Sequence, residues 1–73
     1  MLNQNDIGGQ LPSWGIDNTL EVGGVTLAVK QVATWAVEAY RTDEPGSGVV
    51  IWEGARESDA IARAEAFARE NLL

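Results

Sequence analysis

The chain contains neither cysteine nor histidine. The first absence removes disulfide staples and thiolate nucleophiles. The second removes imidazole bases, and together they remove the ligands that hold zinc and most transition metals. A hard cation would have only carboxylates and backbone oxygens to bind it. Ser-His-Asp and Cys-His chemistry is excluded. A small chain without disulfides fits a reducing compartment, so we expect a cytoplasmic protein. No apolar run reaches the roughly 18 residues of a membrane span. The opening MLNQNDIGGQ has neither the basic segment nor the apolar core of a signal peptide. Met1 leads us to expect a complete small gene product.

Positive charge is also scarce. Eleven acids stand against five bases, for a net charge of −6. Lys30, Arg41, Arg56, Arg63 and Arg69 are scattered, and most have acidic neighbours. A phosphate backbone needs a dense basic patch, so no direct nucleic-acid binding is expected. Gly8-Gly9, Gly23-Gly24 and Gly46-Ser47-Gly48 match neither a dinucleotide-binding nor a P-loop pattern. They read as turns, and no cofactor is expected.

What is present is one domain of 73 residues with 45% hydrophobic content, near the lower limit for unaided folding. Its clearest element is the last stretch, Ser58 to Leu73, read as a helix. Ser58 is placed to cap it, and Asp59 sits at the positive end of its dipole. Ala60, Ala62, Ala64 and Ala66 are strong helix formers. At about 100° per residue, Ala60, Ile61, Ala64, Phe67, Ala68, Asn71 and Leu72 share one arc. Asp59–Arg63 and Glu65–Arg69 are spaced as i,i+4 ion pairs on the other. A face made mostly of alanine lets the helix approach its neighbour closely, and the neighbour must then supply the bulk.

Four strand-like segments lie upstream. Thr19–Val22 leads to a Gly23-Gly24 turn. Val25–Val32 alternates Val25, Leu27 and Val29 against Thr26, Ala28 and Lys30. Trp35–Arg41 alternates Trp35, Val37 and Ala39 against Ala36, Glu38 and Tyr40. Thr42–Gly48, with Pro45-Gly46, reads as a polar hairpin loop before Val49–Glu53, a β-branched and aromatic strand. Strict alternation there puts Val50 and Trp52 on one face, and Val49, Ile51 and Glu53 on the other. The expectation is an α+β fold: an antiparallel meander of three to four strands with one C-terminal helix packed on one face. Residues 28–41 also fit a helical wheel, and the alternative is a β-α-β-α order. Residues 18–73 form the domain. Residues 1–17 form an irregular arm, too apolar at Leu2, Ile7, Leu11, Trp14 and Ile16 for a solvated tail, and expected to fold back over an open face of the core. Trp14 is either a core residue or a binding anchor.

From Thr34 to Leu72, Trp35-Ala36-Val37, a turn, Val49-Val50-Ile51-Trp52-Glu53-Gly54 and an alanine-rich helix follow one another. This order resembles the strand–strand–helix unit of AP2-type and integrase arm-type DNA-binding domains. The resemblance implies a DNA-reading sheet, but Glu38, Asp43, Glu44 and Glu53 stand where those domains carry basic and polar residues. The function is not carried over.

We therefore expect a small acidic, non-enzymatic protein-binding module with no catalytic or metal site. Its contact residues are Glu38, Asp43, Glu44, Trp52, Glu53, Glu57 and Asp59, expected to cluster near one end of the sheet. The implied partner is another protein, in the sharpest version a basic nucleic-acid-binding one. Carboxylates would replace phosphates in its groove, as in phage anti-defence or anti-CRISPR inhibitors. The alternative is a structural domain that forms a homodimer through an edge strand. No membrane partner is expected.

Overall fold

The computed structural model describes residues 11–15 and 17–73. Of the arm residues named above, Leu2, Ile7 and Ile16 lie outside them. The elements run β1 (Thr19–Val22), β2 (Val25–Gln31), β3 (Trp35–Arg41), β4 (Glu44–Gly54) and α1 (Glu57–Asn71). The four strands form one antiparallel sheet in the order β1-β2-β3-β4, and α1 packs across one face of it. This is the α+β meander. The helical alternative for residues 28–41 is not adopted: Val29 and Val37 are cross-strand partners, and the chain reverses at residues 32–34 with a Val32 N–H to Thr34 carbonyl bond of 2.9 Å. β-branched and aromatic side chains fit this pleated, half-buried surface better than a helix.

The β1–β2 reversal is a two-residue turn with both glycines at positive φ, +60° at Gly23 and +82° at Gly24. That conformation follows the natural twist of a hairpin and is costly for residues with a Cβ. Asn18 also lies at positive φ, 56°, a region that asparagine tolerates. Its carbonyl accepts the Val29 N–H at 3.0 Å and lengthens the β1–β2 ladder.

The core is a thin seam. Leu20, Leu27 and Val37 are the largest fully buried side chains, and Ala60, Ala64 and Ala68 of α1 are also fully buried. Alanines at i, i+4 and i+8 form a nearly straight stripe along the helix, so its backbone comes down close to the sheet. The strands supply the volume. Ile61, Phe67 and Leu72 flank the stripe, half-buried.

Two expectations about α1 need correction. It begins at Glu57, so Arg56 occupies the N-cap, in extended conformation and without a side-chain cap bond. Ser58 is already inside the first turn, which closes with the Ala60 N–H on the Arg56 carbonyl. Glu57 and Asp59 in that turn offset the helix dipole instead. Among the described residues, neither Asp59–Arg63 nor Glu65–Arg69 forms an ion pair; Glu65 accepts the Trp14 indole N–H at 2.8 Å. Exposed i,i+4 pairs are worth only a few tenths of a kcal/mol, about what fixing two long side chains costs.

Leu11 and Trp14 pack against the same core, on the helix-bearing side of the sheet. They do not lie across its other face. That face carries Ala28 and Ala36, overlaid by the long side chains of the diagonal pair Lys30 and Glu38, whose Nζ and Oε1 are 2.6 Å apart.

The alanine stripe generates a direct test. Ala64→Leu adds volume where helix and sheet have no space, and the expected loss of stability is about 1–3 kcal/mol in urea unfolding. A change within about 0.5 kcal/mol, the range of a surface substitution, would contradict close seating of the helix.

Candidate functional site

β4 is the longest strand, with 11 residues, and one of its edges has no partner among the described residues. Its sequence explains both its length and its irregularity. The β3–β4 turn is made by Thr42-Asp43 alone, because Arg41 already pairs with Glu44. The loop expected over Thr42–Gly48 is therefore mostly strand. Between Glu44 and Val49 the register slips, and Pro45-Gly46-Ser47-Gly48 stands opposite Tyr40 alone. Ser47 repairs the backbone there. Its hydroxyl accepts the Arg41 N–H at 3.1 Å and donates to the Glu44 carbonyl at 2.8 Å. The Glu38 side chain lies where a Cβ on Gly48 would stand, so a larger residue there would displace it.

A second slip sets the faces. Val37 pairs with Trp52, and the next residue, Glu38, pairs with Val50, so Ile51 is the extra residue of a β-bulge. The bulge breaks the alternation assumed from sequence. Val49 and Trp52 both fall on the helix-bearing face, opposite Ala39 and Val37, while Val50 and Glu53 fall on the other. Ile51 also turns toward α1 and, with Trp52, packs against the core. Neither aromatic nor Ile51 is left on the far face. The Trp52 ring lies along the strand over Gly54, which has no Cβ to obstruct it.

Two hydrophobic residues at the centre of this strand are exposed, Val49 at 62% and Val50 at 50%. Beside them, between β4 and α1, is a pocket of about 130 Å³ lined by Ile51, Trp52, Arg63, Ala66, Phe67 and Glu70. Phe67 is also a wall of a wider hollow, about 320 Å³, bounded by Val25, Ala39, Ser47 and Leu72. The helix direction leaves both. α1 starts beside the end of β4 and finishes against the β1–β2 turn, where a Cβ on Gly23 would be 3.4 Å from the Leu72 carbonyl oxygen. The helix lies over β2, β3 and β4, and the two hollows open on either side of Phe67.

The seven residues expected to form the site are not gathered at one end of the sheet. Asp43 and Glu44 occupy the β3–β4 turn. Glu53, Glu57 and Asp59 surround the junction of β4 and α1, about 20 Å away at the rise of a strand. Arg41 holds the first group, with Nε 3.6 Å from Asp43 and Nη1 3.2 Å from Glu44. Glu38 is engaged by Lys30. Glu53, Glu57 and Asp59 make no ion pair among the described residues. Trp52 is half-buried in the wall of the pocket. Strand alternation alone did not mark Val49 and Val50 as exposed, nor Phe67 as the wall between two hollows. The uncharged run Val-Val-Ile-Trp between Gly48 and Glu53 carried the first signal. Among the described residues, no group of three or more acidic side chains comes together to hold a metal ion.

Comparison with known proteins returns no match: no family model, no curated protein and no solved structure matches this chain.

Trp14 provides a measurable handle on the arm. Trp14→Phe keeps a ring in place and removes the N–H that Glu65 accepts. The expected cost is about 1–2 kcal/mol, the usual range for a partly buried hydrogen bond to a carboxylate. A double-mutant cycle with Glu65→Ala measures it; a coupling energy near zero would show that the bond contributes nothing to docking the arm.

Proposed function

We propose that the chain is a small, acidic, non-enzymatic protein-binding module whose contact surface is the free edge of β4 and its junction with α1. The observation that carries this reading is the exposed Val49-Val50 pair on an edge strand bracketed by carboxylates. Exposed apolar edges are normally blunted in soluble proteins, because their backbone groups invite another chain. Here the edge is modulated by Pro45 and two slips of register, but its centre remains apolar. Acids at both ends, on a chain of net charge −6, favour a basic partner and speed its encounter.

A nucleic-acid-handling protein has such a surface. In this reading the module occupies its groove as an inhibitor, with Glu53, Glu57 and Asp59 in the place of phosphates, in the manner of anti-CRISPR and other phage anti-defence proteins. The second reading, a homodimer paired through β4, draws on the same free edge. Charge weighs against it, since antiparallel pairing would bring the Asp43-Glu44 end of one copy against the Glu53–Asp59 end of the other.

The test is capture from nuclease-treated lysate of the source cell by wild-type protein and by a Val50→Lys/Glu53→Lys variant, washed across a salt series. The expected result is a basic protein retained by the wild type, released by moderate salt and lost with the variant. Retention of the same proteins by both would remove β4 from the interface. A concentration-dependent dimer in sedimentation, abolished by Val50→Lys, would favour the second reading.

A further inference from the structure

The pocket and the free edge are adjacent, and that arrangement specifies how a partner binds. The geometry points to strand addition: an extended, basic segment of the partner pairs with β4 and inserts one apolar side chain into the pocket between Ile51, Trp52, Ala66 and Phe67. The inference rests on the reading of β4 as a protein-binding surface and names the form of the occupant.

Three observations support it. A strand edge supplies backbone donors and acceptors without regard to sequence, so a chain laid along it gains affinity from its own main chain. Side chains of that added strand alternate between faces, so every second one faces α1. The pocket lies on that side, and at about 130 Å³ it approaches the roughly 150 Å³ of an engineered protein cavity that admits benzene. An aliphatic side chain such as Leu, Ile or Met is of this size. The wider hollow beyond Phe67 offers room for a second apolar residue farther along the same face.

The charge pattern selects the flanking residues. Glu70 and Arg63 both line the pocket and offset each other in charge, Glu53 faces the other side of β4, and Glu57 and Asp59 follow at the junction. Lys or Arg beside the apolar anchor would meet these carboxylates at the rim, where ion pairs govern encounter and register more than affinity. A second copy of this chain is a poor occupant on the same grounds. Its own β4 run is apolar at the centre, but acids flank it on both sides.

A displayed library of random nonapeptides, selected against the full chain, tests the proposal. Enriched peptides are expected to carry an aliphatic anchor with Lys or Arg nearby. Bound peptide should shift the amides of Val49–Glu53 and slow their hydrogen exchange. Replacing the anchor by Ala, or filling the pocket with Ala66→Phe, should each weaken binding about tenfold or more. Ala66 is only half-buried, and the fold of the variant is checked by its amide spectrum. Glu53→Lys/Glu57→Lys, remote from the core, should weaken binding at low salt and flatten its salt dependence.

Peptides that bind Ala66→Phe as tightly as wild type, or that leave the β4 amides unprotected, would overturn strand addition while leaving a protein-binding surface in place. A library that yields no peptide would overturn an extended occupant, and a partner still retained in lysate capture would then be docked as a folded surface. Loss of both would end the binding-module reading itself. Protection of β4 in the absence of peptide, together with a dimeric mass, would assign the edge to a second copy.

Discussion

The structure depends on one close approach, the stripe of Ala60, Ala64 and Ala68 seated on Leu20, Leu27 and Val37. A chain this short cannot build a thick core. It makes the available seam dense by giving the bulk to the strands and almost none to the helix. Packing of that kind gains its energy from many short dispersion contacts, and it tolerates extra volume poorly. Arg56 at the N-cap carries only donors on its side chain and cannot cap the first turn, so the helix relies on the buried stripe.

The same seating shapes the surface beside β4. Because α1 crosses from the end of β4 to the β1–β2 turn, its apolar flank is used unevenly. Ile61, Phe67 and Leu72 all pack against the core, and Phe67 also stands between two hollows on the β4 side. On the opposite flank the arm fills the corresponding space, with Trp14 bonded to Glu65. The open flank lies beside β4, where the proposed partner would pair. The bulge at Ile51 contributes by turning both Ile51 and Trp52 toward that side.

Much of the fold was legible in the sequence. The alternation in Val25–Val29 and Trp35–Ala39 identified the core face of the central strands, and the alanine spacing in α1 identified its buried stripe. Helix and strand periods competed over residues 28–41, and the pairing of β3 with β4 decided between them; such a partner lies outside any local window. β4 was harder. A bulge shifts the phase of alternation by one residue, and nothing in Val-Val-Ile-Trp marks where the extra residue falls. The acids were legible as charge but not as a cluster. Their sequence positions bracket a strand, and a strand separates its two ends by its full length. The cap at Ser58 failed for a related reason: a capping residue type is common, and the first turn closed two residues earlier than its position required.

The central claim is that β4 carries an open edge whose backbone is available to a partner. Amide hydrogen exchange of the full chain, resolved residue by residue, tests it most directly. The account predicts slow exchange through β2 and β3, and fast exchange at outward amides between Val49 and Trp52, which have no strand partner among the described residues. Uniformly slow exchange along β4, equal to that of β3, would show the edge already covered and would contradict the account.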